Sequence, residues 1–172
     1  LFLCQCALQT HRHVDQDELF LVQSGTISLE SEWGDVILRP HELAVVPKGV
    51  GHRSASLLPS LVLLLQPRVV VDRRNGDRRL FALKDAGHLD KVSVPAVGRQ
   101  IVNPHTPVTM AHLDTFAFNL LVCARTGHWQ QHDDQSSLVL CHDGLVIVES
   151  KLGKLSLRGG ELVVVVNTAG ET

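Results

Sequence analysis

The stretches THRHVDQDELFLVQSG, residues 10–25, and PKGVGH, residues 47–52, contain four side chains of the kinds that bind metal ions. In chain order these are His11, His13, Glu18 and His52. His11 and His13 are two residues apart, so on a β-strand both imidazoles would point to the same face. A hairpin through the polar residues that follow would return the Glu18 carboxylate to that face. We therefore predict one site for a divalent transition metal such as iron, manganese, zinc, nickel or cobalt.

The spacing of these residues resembles the two motifs of the cupin family, here His-x-His-x4-Glu-x6-Gly and Pro-x-Gly-x2-His. The first motif ends at Gly25 and the second begins at Pro47. The resemblance implies a small antiparallel β-barrel, the double-stranded β-helix or jelly roll, with one metal held by the three histidines and the glutamate. The family pattern has glycine at the positions of Gln5 and His41, and asparagine at the position of Ser56. None of these three residues is a ligand.

The chain has ten histidines, so spacing carries more information than residue type. A histidine without a potential ligand at a matching spacing is usually a surface residue or a hydrogen-bonded core residue. We predict such structural roles for His41, His88, His105 and His112. The quartet differs, because buried imidazoles and carboxylates without partners are costly and their grouping favours a shared metal ion.

An internal repeat extends over much of the chain. Shifting the sequence by 119 residues (123 minus 4) aligns residues 4–52 with residues 123–171 without a gap. Identical pairs include Cys4/Cys123, His13/His132, Gln16/Gln135, Leu19/Leu138, Gly25/Gly144, Glu30/Glu149, Leu38/Leu157 and Glu42/Glu161. A repeat of this length indicates a duplicated domain. We therefore predict an all-β bicupin with two tandem barrels: residues 1–68 with the metal site, 69–99 as the connection, and 100–172 as a degenerate, incomplete barrel.

The second copy retains one of the four ligands. His132 corresponds to His13, whereas the other three ligand positions hold Gln130, Ser137 and Glu171. An amide oxygen is a poor ligand for a transition metal, and a serine hydroxyl brings no charge. We therefore predict one metal ion per chain, bound in the first barrel. A weaker site formed by Gln130, His132 and Glu171 stays open as an alternative.

Alternating apolar residues and β-branched residues predict strands at 1–8, 18–23, 26–31, 35–38, 42–46 and 57–66. No stretch has a sustained helical period. In the repeat alignment, the counterpart of the closing strand of the first barrel falls beyond Thr172. Because cupin barrels close fully, either the chain is a portion of a longer protein or another chain supplies the missing edge.

Composition argues against several classes of partner. A net charge of −2 and a pI near 6.6 give no electrostatic support for binding nucleic acid or an anionic membrane surface. No apolar segment reaches transmembrane length. The basic cluster at 73–79 is interrupted by Asp77 and is predicted to be a solvated loop. The four cysteines are predicted to be buried free thiols in a reducing, cytoplasmic compartment, and the 44% hydrophobic composition together with exposed barrel edges favours a homodimer.

Three functions are compatible with such a site. The first is an iron- or manganese-dependent oxygenase acting on a small organic substrate, in which Phe20 and Val22 line an apolar pocket beside Glu18. Gln23 and Arg53 are candidates for polar groups at its rim. The second is a sugar-phosphate isomerase, in which the metal would act as a Lewis acid.

Sugar-phosphate binding would need several basic groups that point into the barrel. The candidates near the motifs are Arg12, Arg39, Lys48 and Arg53, and Arg12 alternates away from the predicted metal face. The third function is a non-catalytic module that binds a small-molecule ligand. The fold alone cannot choose among the three, and the apolar pocket lining favours the oxygenase.

Overall fold

The computed structural model describes residues 2–66, 87–113, 116–127, 129 and 136–165. The chain divides into two units, Leu1–Val122 and Cys123–Thr172. The elements of the first unit are β1 (Phe2–Ala7), β2 (Glu18–Ser24), β3 (Ile27–Ser31), β4 (Val36–Leu38), β5 (Glu42–Val46), β6 (His52–Leu65), β7 (Lys91–Ser93), α1 (Val94–Gly98), β8 (Val108–Leu113) and β9 (Phe116–Leu120). Those of the second are β10 (Ser137–Leu140), β11 (Leu145–Ser150), β12 (Gly153–Arg158) and β13 (Leu162–Val165). The all-β prediction is confirmed.

Strand β6 organises the first unit. It is 14 residues long and pairs with three strands, so that the sheet has the order β4-β3-β6-β2-β5-β7 with β1 also on β6. The strand predicted at 57–66 therefore begins too late, because β6 begins at His52. Pro59 breaks the sequence pattern there, because proline lacks the N–H that a ladder needs. In the structure, Pro59 lies where the register of β1 shifts between Cys4 and Cys6, so β6 continues past it.

The largest cluster of buried apolar residues in the described chain includes residues that lie beside the site. Phe20 and Val22 of β2 are buried in a cluster together with residues of β3, β4 and β5. Leu19 and Leu21, which alternate with them, are also buried, with 0% and 1% exposure. Strand β2 is thus covered on both faces, which explains why its sequence reads as a continuous apolar run.

The second unit repeats the strand pairing of the first with the same register. In β10 and β13, Ser137 pairs with Val165 and Leu140 with Leu162. Subtracting 119 from these numbers gives the pairs of β2 and β5, in which Glu18 faces Val46 and Leu21 faces Leu43. Strands β11 and β12 reproduce the pairing of β3 and β4 in the same way. The repeat predicted from sequence is therefore present in the strand ladders.

The turns are repeated as well. The amide of His41 donates to the carbonyl of Val22 at 2.8 Å, and Gly160, its repeat counterpart, donates to Cys141 at 2.8 Å. Both residues have a positive φ, 67° at His41 and 87° at Gly160. The family pattern has glycine at this position because a side chain is disfavoured in the left-handed conformation. The first copy holds this conformation with a histidine.

The carboxylate of Glu42 caps the same turn. It accepts a hydrogen bond from the Arg39 amide at 2.9 Å and pairs with Lys91, and Glu161 repeats the first contact with the Arg158 amide at 2.7 Å. Burial by itself raises the pKa of Glu42, but the Arg39 hydrogen bond and the Lys91 contacts outweigh it, so the pKa is lowered. This turn is a charged, hydrogen-bonded corner in both copies.

Two features of the structure concern the predicted division of the chain. The four strands of 136–165 form two separate two-stranded sheets, β10 with β13 and β11 with β12. In the first unit, β6 joins the corresponding pairs, and no such joining strand is found among the described residues of the second. Strand β7, inside the predicted connection 69–99, belongs to the first sheet because it pairs with β5. The division into 1–68, 69–99 and 100–172 stays a prediction.

The cysteines correct a further expectation. All four are free thiols, but Cys6 and Cys123 are exposed, whereas Cys4 and Cys141 are buried. Cys4 and Cys6 do not share an environment, because the register shift between them breaks the alternation of β1. The basic cluster at 73–79 lies outside the described residues. No helical segment within those residues has the length and apolar character that a membrane span requires.

Candidate metal centre

The four predicted ligands lie together. The ligand atoms of His11, His13, Glu18 and His52 are all within 4.8 Å of one another, and no other such group is found among the described residues. Glu18 begins β2 and His52 begins β6, two neighbouring strands of the sheet. The first two histidines are held differently from the prediction, because no regular strand contains both. His11 instead forms an isolated bridge with His52, with two backbone hydrogen bonds of 2.9 Å.

Glu18 is the centre of the cluster. The residue is 2% exposed, and its Oε2 lies 2.7 Å from Nε2 of His52. Its Oε1 lies 3.1 Å from Nε2 of His13 and also accepts a hydrogen bond from the Gln66 side chain. The ring centroids of His11 are 5.0 Å from His13 and 4.5 Å from His52. Three imidazoles thus surround one buried carboxylate.

The far side of each imidazole ring is also engaged. Nδ1 of His11 lies 3.0 Å from the carbonyl oxygen of Gln9, and Nδ1 of His52 lies 3.0 Å from that of Val50. A carbonyl oxygen only accepts, so these Nδ1 atoms donate, and Nε2 is the atom left for a ligand bond. Nδ1 of His13 instead faces the side-chain amide of Gln16. Such outer partners are typical of histidines that bind metal ions.

Burial and nearby charges shift the pKa values of two of the imidazoles in opposite directions. Burial lowers the pKa of His13, and His11 and His52 lower it further against the opposing charge of Glu18. Burial also acts to lower the pKa of His52, but its hydrogen bonds to Glu18 and the Val50 carbonyl outweigh burial and raise it. A metal ion has to displace any proton held on a ligand nitrogen, so binding is expected to weaken as the pH falls.

A cavity of about 370 Å³ opens beside the cluster. It is lined by Phe2, Leu8, His11, Glu18, Phe20, Ser54, Leu64 and Gln66. Half of these side chains are apolar, namely Phe2, Leu8, Phe20 and Leu64, and this described lining contains no lysine or arginine. The cavity therefore suits a small molecule with an apolar body that reaches the ligand cluster with one polar end.

The structure separates the two predicted pocket residues. Phe20 lines the cavity, and its ring lies 6.0 Å from that of His52. Val22, two residues farther along β2, is fully buried in the core and is not part of the lining. Sequence reasoning missed Phe2, Leu64 and Gln66, which reach the cavity from β1 and the end of β6. Only the pairing of β6 with its neighbouring strands brings these three residues to the cavity, and the alternation of apolar residues in the sequence does not reveal that pairing.

Two of the basic groups considered for sugar-phosphate binding form ion pairs with glutamates. Arg12 forms an ion pair with Glu32, and Arg53 lies 2.6 Å from Glu30 in the facing strand β3. Gln23, also considered for the rim, is half-buried, and its Nε2 has no hydrogen-bond partner among the described residues. Neither arginine lines the cavity. Of the second-copy residues, Gln130, His132 and Glu171 lie outside the described residues, and Ser137 begins β10.

No protein-family model matches the chain, and no curated protein matches it in sequence. Among solved structures, it is similar to a cupin-2 domain protein from Shewanella frigidimarina at 29% identity, over 38% of this chain and 65% of that one, with a TM-score of 0.37. YlbA from Escherichia coli aligns with 92% of this chain and 66% of its own at 11% identity, with a TM-score of 0.51. A putative glyoxylate induced protein from Pseudomonas aeruginosa aligns over 92% of this chain and 63% of its own length at 10% identity, with a TM-score of 0.53.

The chain thus spans less than two thirds of each of these three proteins. At 10–11% identity, the two longer alignments establish similarity of fold and nothing about activity. The sheet of the first unit, with its four clustered ligand residues, is cupin-like.

The residues present fit a divalent transition metal. Two imidazoles are oriented by backbone carbonyls so that Nε2 faces the centre, and one buried carboxylate supplies negative charge. Nitrogen donors with a single carboxylate suit iron, manganese, zinc, nickel or cobalt better than calcium or magnesium, which prefer oxygen ligands. The cluster could therefore bind one such ion.

Proposed function

We propose that the first unit binds one divalent transition metal ion through His11, His13, Glu18 and His52, and binds a small organic molecule in the adjoining cavity. The observation that supports this most strongly is the convergence of four ligand atoms within 4.8 Å, with Glu18 and His52 buried. A carboxylate buried to 2% exposure would be costly without a compensating positive charge, and a metal ion supplies one.

We further propose that the site is that of a metal-dependent oxygenase. A bound ion would supply Lewis acidity and an open coordination position to the reaction. The chain supplies the surroundings: Phe2, Phe20 and Leu64 exclude water from the cavity, and Ser54 and Gln66 offer the polar groups that can orient a substrate. The substrate class that fits is a small chelating molecule with an apolar body, such as a catechol, a diketone or a thiol.

The sugar-phosphate isomerase alternative finds less support. A phosphate group is usually bound by arginine, lysine or backbone amides. The described lining of the cavity contains no basic side chain, and Arg12 and Arg53 are paired with glutamates. Non-catalytic binding of a small molecule remains the alternative, because it would use the same cavity and the same ligands.

Metal content and oxygen uptake together test the proposal. Elemental analysis of the purified protein is expected to find one transition metal ion per chain, since only the first copy retains the ligand set. Oxygen consumption with catechols, diketones and thiols is expected for at least one class, and it should be lost after treatment with a chelator. Two ions per chain would contradict the single site. One ion without oxygen uptake would support the binding module instead.

We also propose that the chain is a bicupin that associates as a homodimer in a reducing, cytoplasmic compartment. The repeated ladders support the duplication, and the free thiols support the compartment. Association is supported by one face of β10 and β13, where Leu138, Leu162 and Val164 are 46%, 46% and 53% exposed. Light scattering is expected to give a dimeric mass, and a monomeric mass at micromolar concentration would contradict this.

A further inference from the structure

Gln16 lies against His13, and its side chain has an unusual environment. The residue is 5% exposed, and its Nε2 lies 3.3 Å from Nδ1 of His13. Its Oε1 is buried and has no hydrogen-bond partner among the described residues. Leaving part of a buried amide unsatisfied is costly, so a side chain in this position calls for a functional reason.

The other two imidazoles show what is special about His13. His11 and His52 each direct Nδ1 at a backbone carbonyl, which can only accept a hydrogen bond. When these rings are neutral, the carbonyls hold the proton on Nδ1 and Nε2 is bare, whereas the hydrogen bond of His52 to Glu18 requires a second proton on Nε2. The amide of Gln16 can either donate through Nε2 or accept through Oε1. Among the three histidines, only His13 has a side-chain partner at Nδ1.

The two orientations of the Gln16 amide have opposite consequences. When Nε2 of Gln16 donates to Nδ1, the proton of neutral His13 lies on its own Nε2, 3.1 Å from Oε1 of Glu18. That tautomer cannot bind a metal ion through Nε2. A half-turn of the amide brings Oε1 to Nδ1, which then carries the proton and leaves Nε2 bare.

We propose that Gln16 is a positioning residue that selects the tautomer of His13 and thereby sets the metal affinity of the site. The inference rests on the proposed metal-binding function, because it assigns the amide a role toward a ligand of that site. Gln16 belongs neither to the ligand cluster nor to the described cavity lining. It acts through the imidazole alone.

Two substitutions with opposite expected effects test this. The carboxylate of Gln16→Glu can only accept a hydrogen bond from Nδ1 of His13, so this variant is expected to raise the affinity for Co²⁺ about tenfold. The side chain of Gln16→Met can neither donate nor accept such a bond, so this variant is expected to lower the affinity tenfold to a hundredfold. The affinities are measured by titration against a competing chelator. Gln100→Met, at an exposed position after α1, is the control and is expected to match the wild-type chain.

A second measurement needs no added metal. Nitrogen NMR of the His13 ring in the chelator-treated chain is expected to show a bare Nδ1 in the wild type and a protonated Nδ1 in Gln16→Glu, because a carboxylate at this position can only accept. A bare Nδ1 in folded Gln16→Glu, or unchanged affinity in folded Gln16→Met, would overturn the inference. If the wild-type chain bound no Co²⁺, the proposed function would fail, and the NMR result would still decide the role of Gln16.

Discussion

Glu18→Gln is expected to lower the affinity of the chain for a divalent transition metal about tenfold to a hundredfold and to suppress any turnover. Glu18 is the only anionic ligand among three imidazoles, and its two oxygens lie 2.7 Å and 3.1 Å from Nε2 of His52 and His13. Glutamine keeps the size and removes the charge. Its amide nitrogen would also present a donor where a metal ion needs a lone pair. Isothermal titration with Mn²⁺ or Co²⁺ measures the change.

The repeat supplies a matched control for this prediction. His132, which lies outside the described residues, is the counterpart of His13 in the second copy. His13→Ala is expected to lose metal as Glu18→Gln does, whereas His132→Ala is expected to leave metal content and turnover unchanged. Full metal content and full activity in Glu18→Gln would mean that the four-ligand site is wrong. Equal losses in the two histidine variants would mean that the second copy also binds metal.

Gly25→Ala is expected to destabilise the first unit by about 2–4 kcal/mol, which combines a left-handed backbone cost with a steric one. Gly25 has a φ of 82°, a conformation that L side chains disfavour. A Cβ built there would also lie 2.7 Å from Cβ and 2.8 Å from Cα of Ser60. The second of these atoms belongs to the backbone of β6, so the central strand would have to move.

Gly144 is the repeat counterpart of Gly25 and separates the two costs. Its φ is 80°, and a Cβ there would have no neighbour within 4 Å. Gly144→Ala is therefore expected to cost only about 1 kcal/mol, from the backbone conformation. Hydrogen exchange of peptides that cover each turn reports the local free energies of opening. Equal effects at the two glycines would show that the contact with Ser60 does not matter.

The candidate ligands could be predicted from the sequence because the motif is short and locally spaced. His11, His13 and Glu18 fall within eight residues, and His52 stands at a fixed spacing from Pro47. The predicted strands at 18–23, 26–31 and 42–46 agree with β2, β3 and β5 within one residue at each end, because alternation is a local property. The repeat could be predicted too, since it is an identity of residues.

What the tertiary structure alone decided is which side chains meet across the sheet. Phe2, Leu64 and Gln66 reach the cavity only because β6 pairs with β1 on one side and with β2 on the other. Val22 has the same strand parity as Phe20 and is buried in the same core cluster, but only Phe20 lines the cavity. Alternation assigns a face to each residue, but the position along that face depends on the register between strands that are distant in sequence. The ligand types were therefore determined by the sequence, whereas the cavity and the contact of Gln16 with His13 were determined by the packing of the chain around β6.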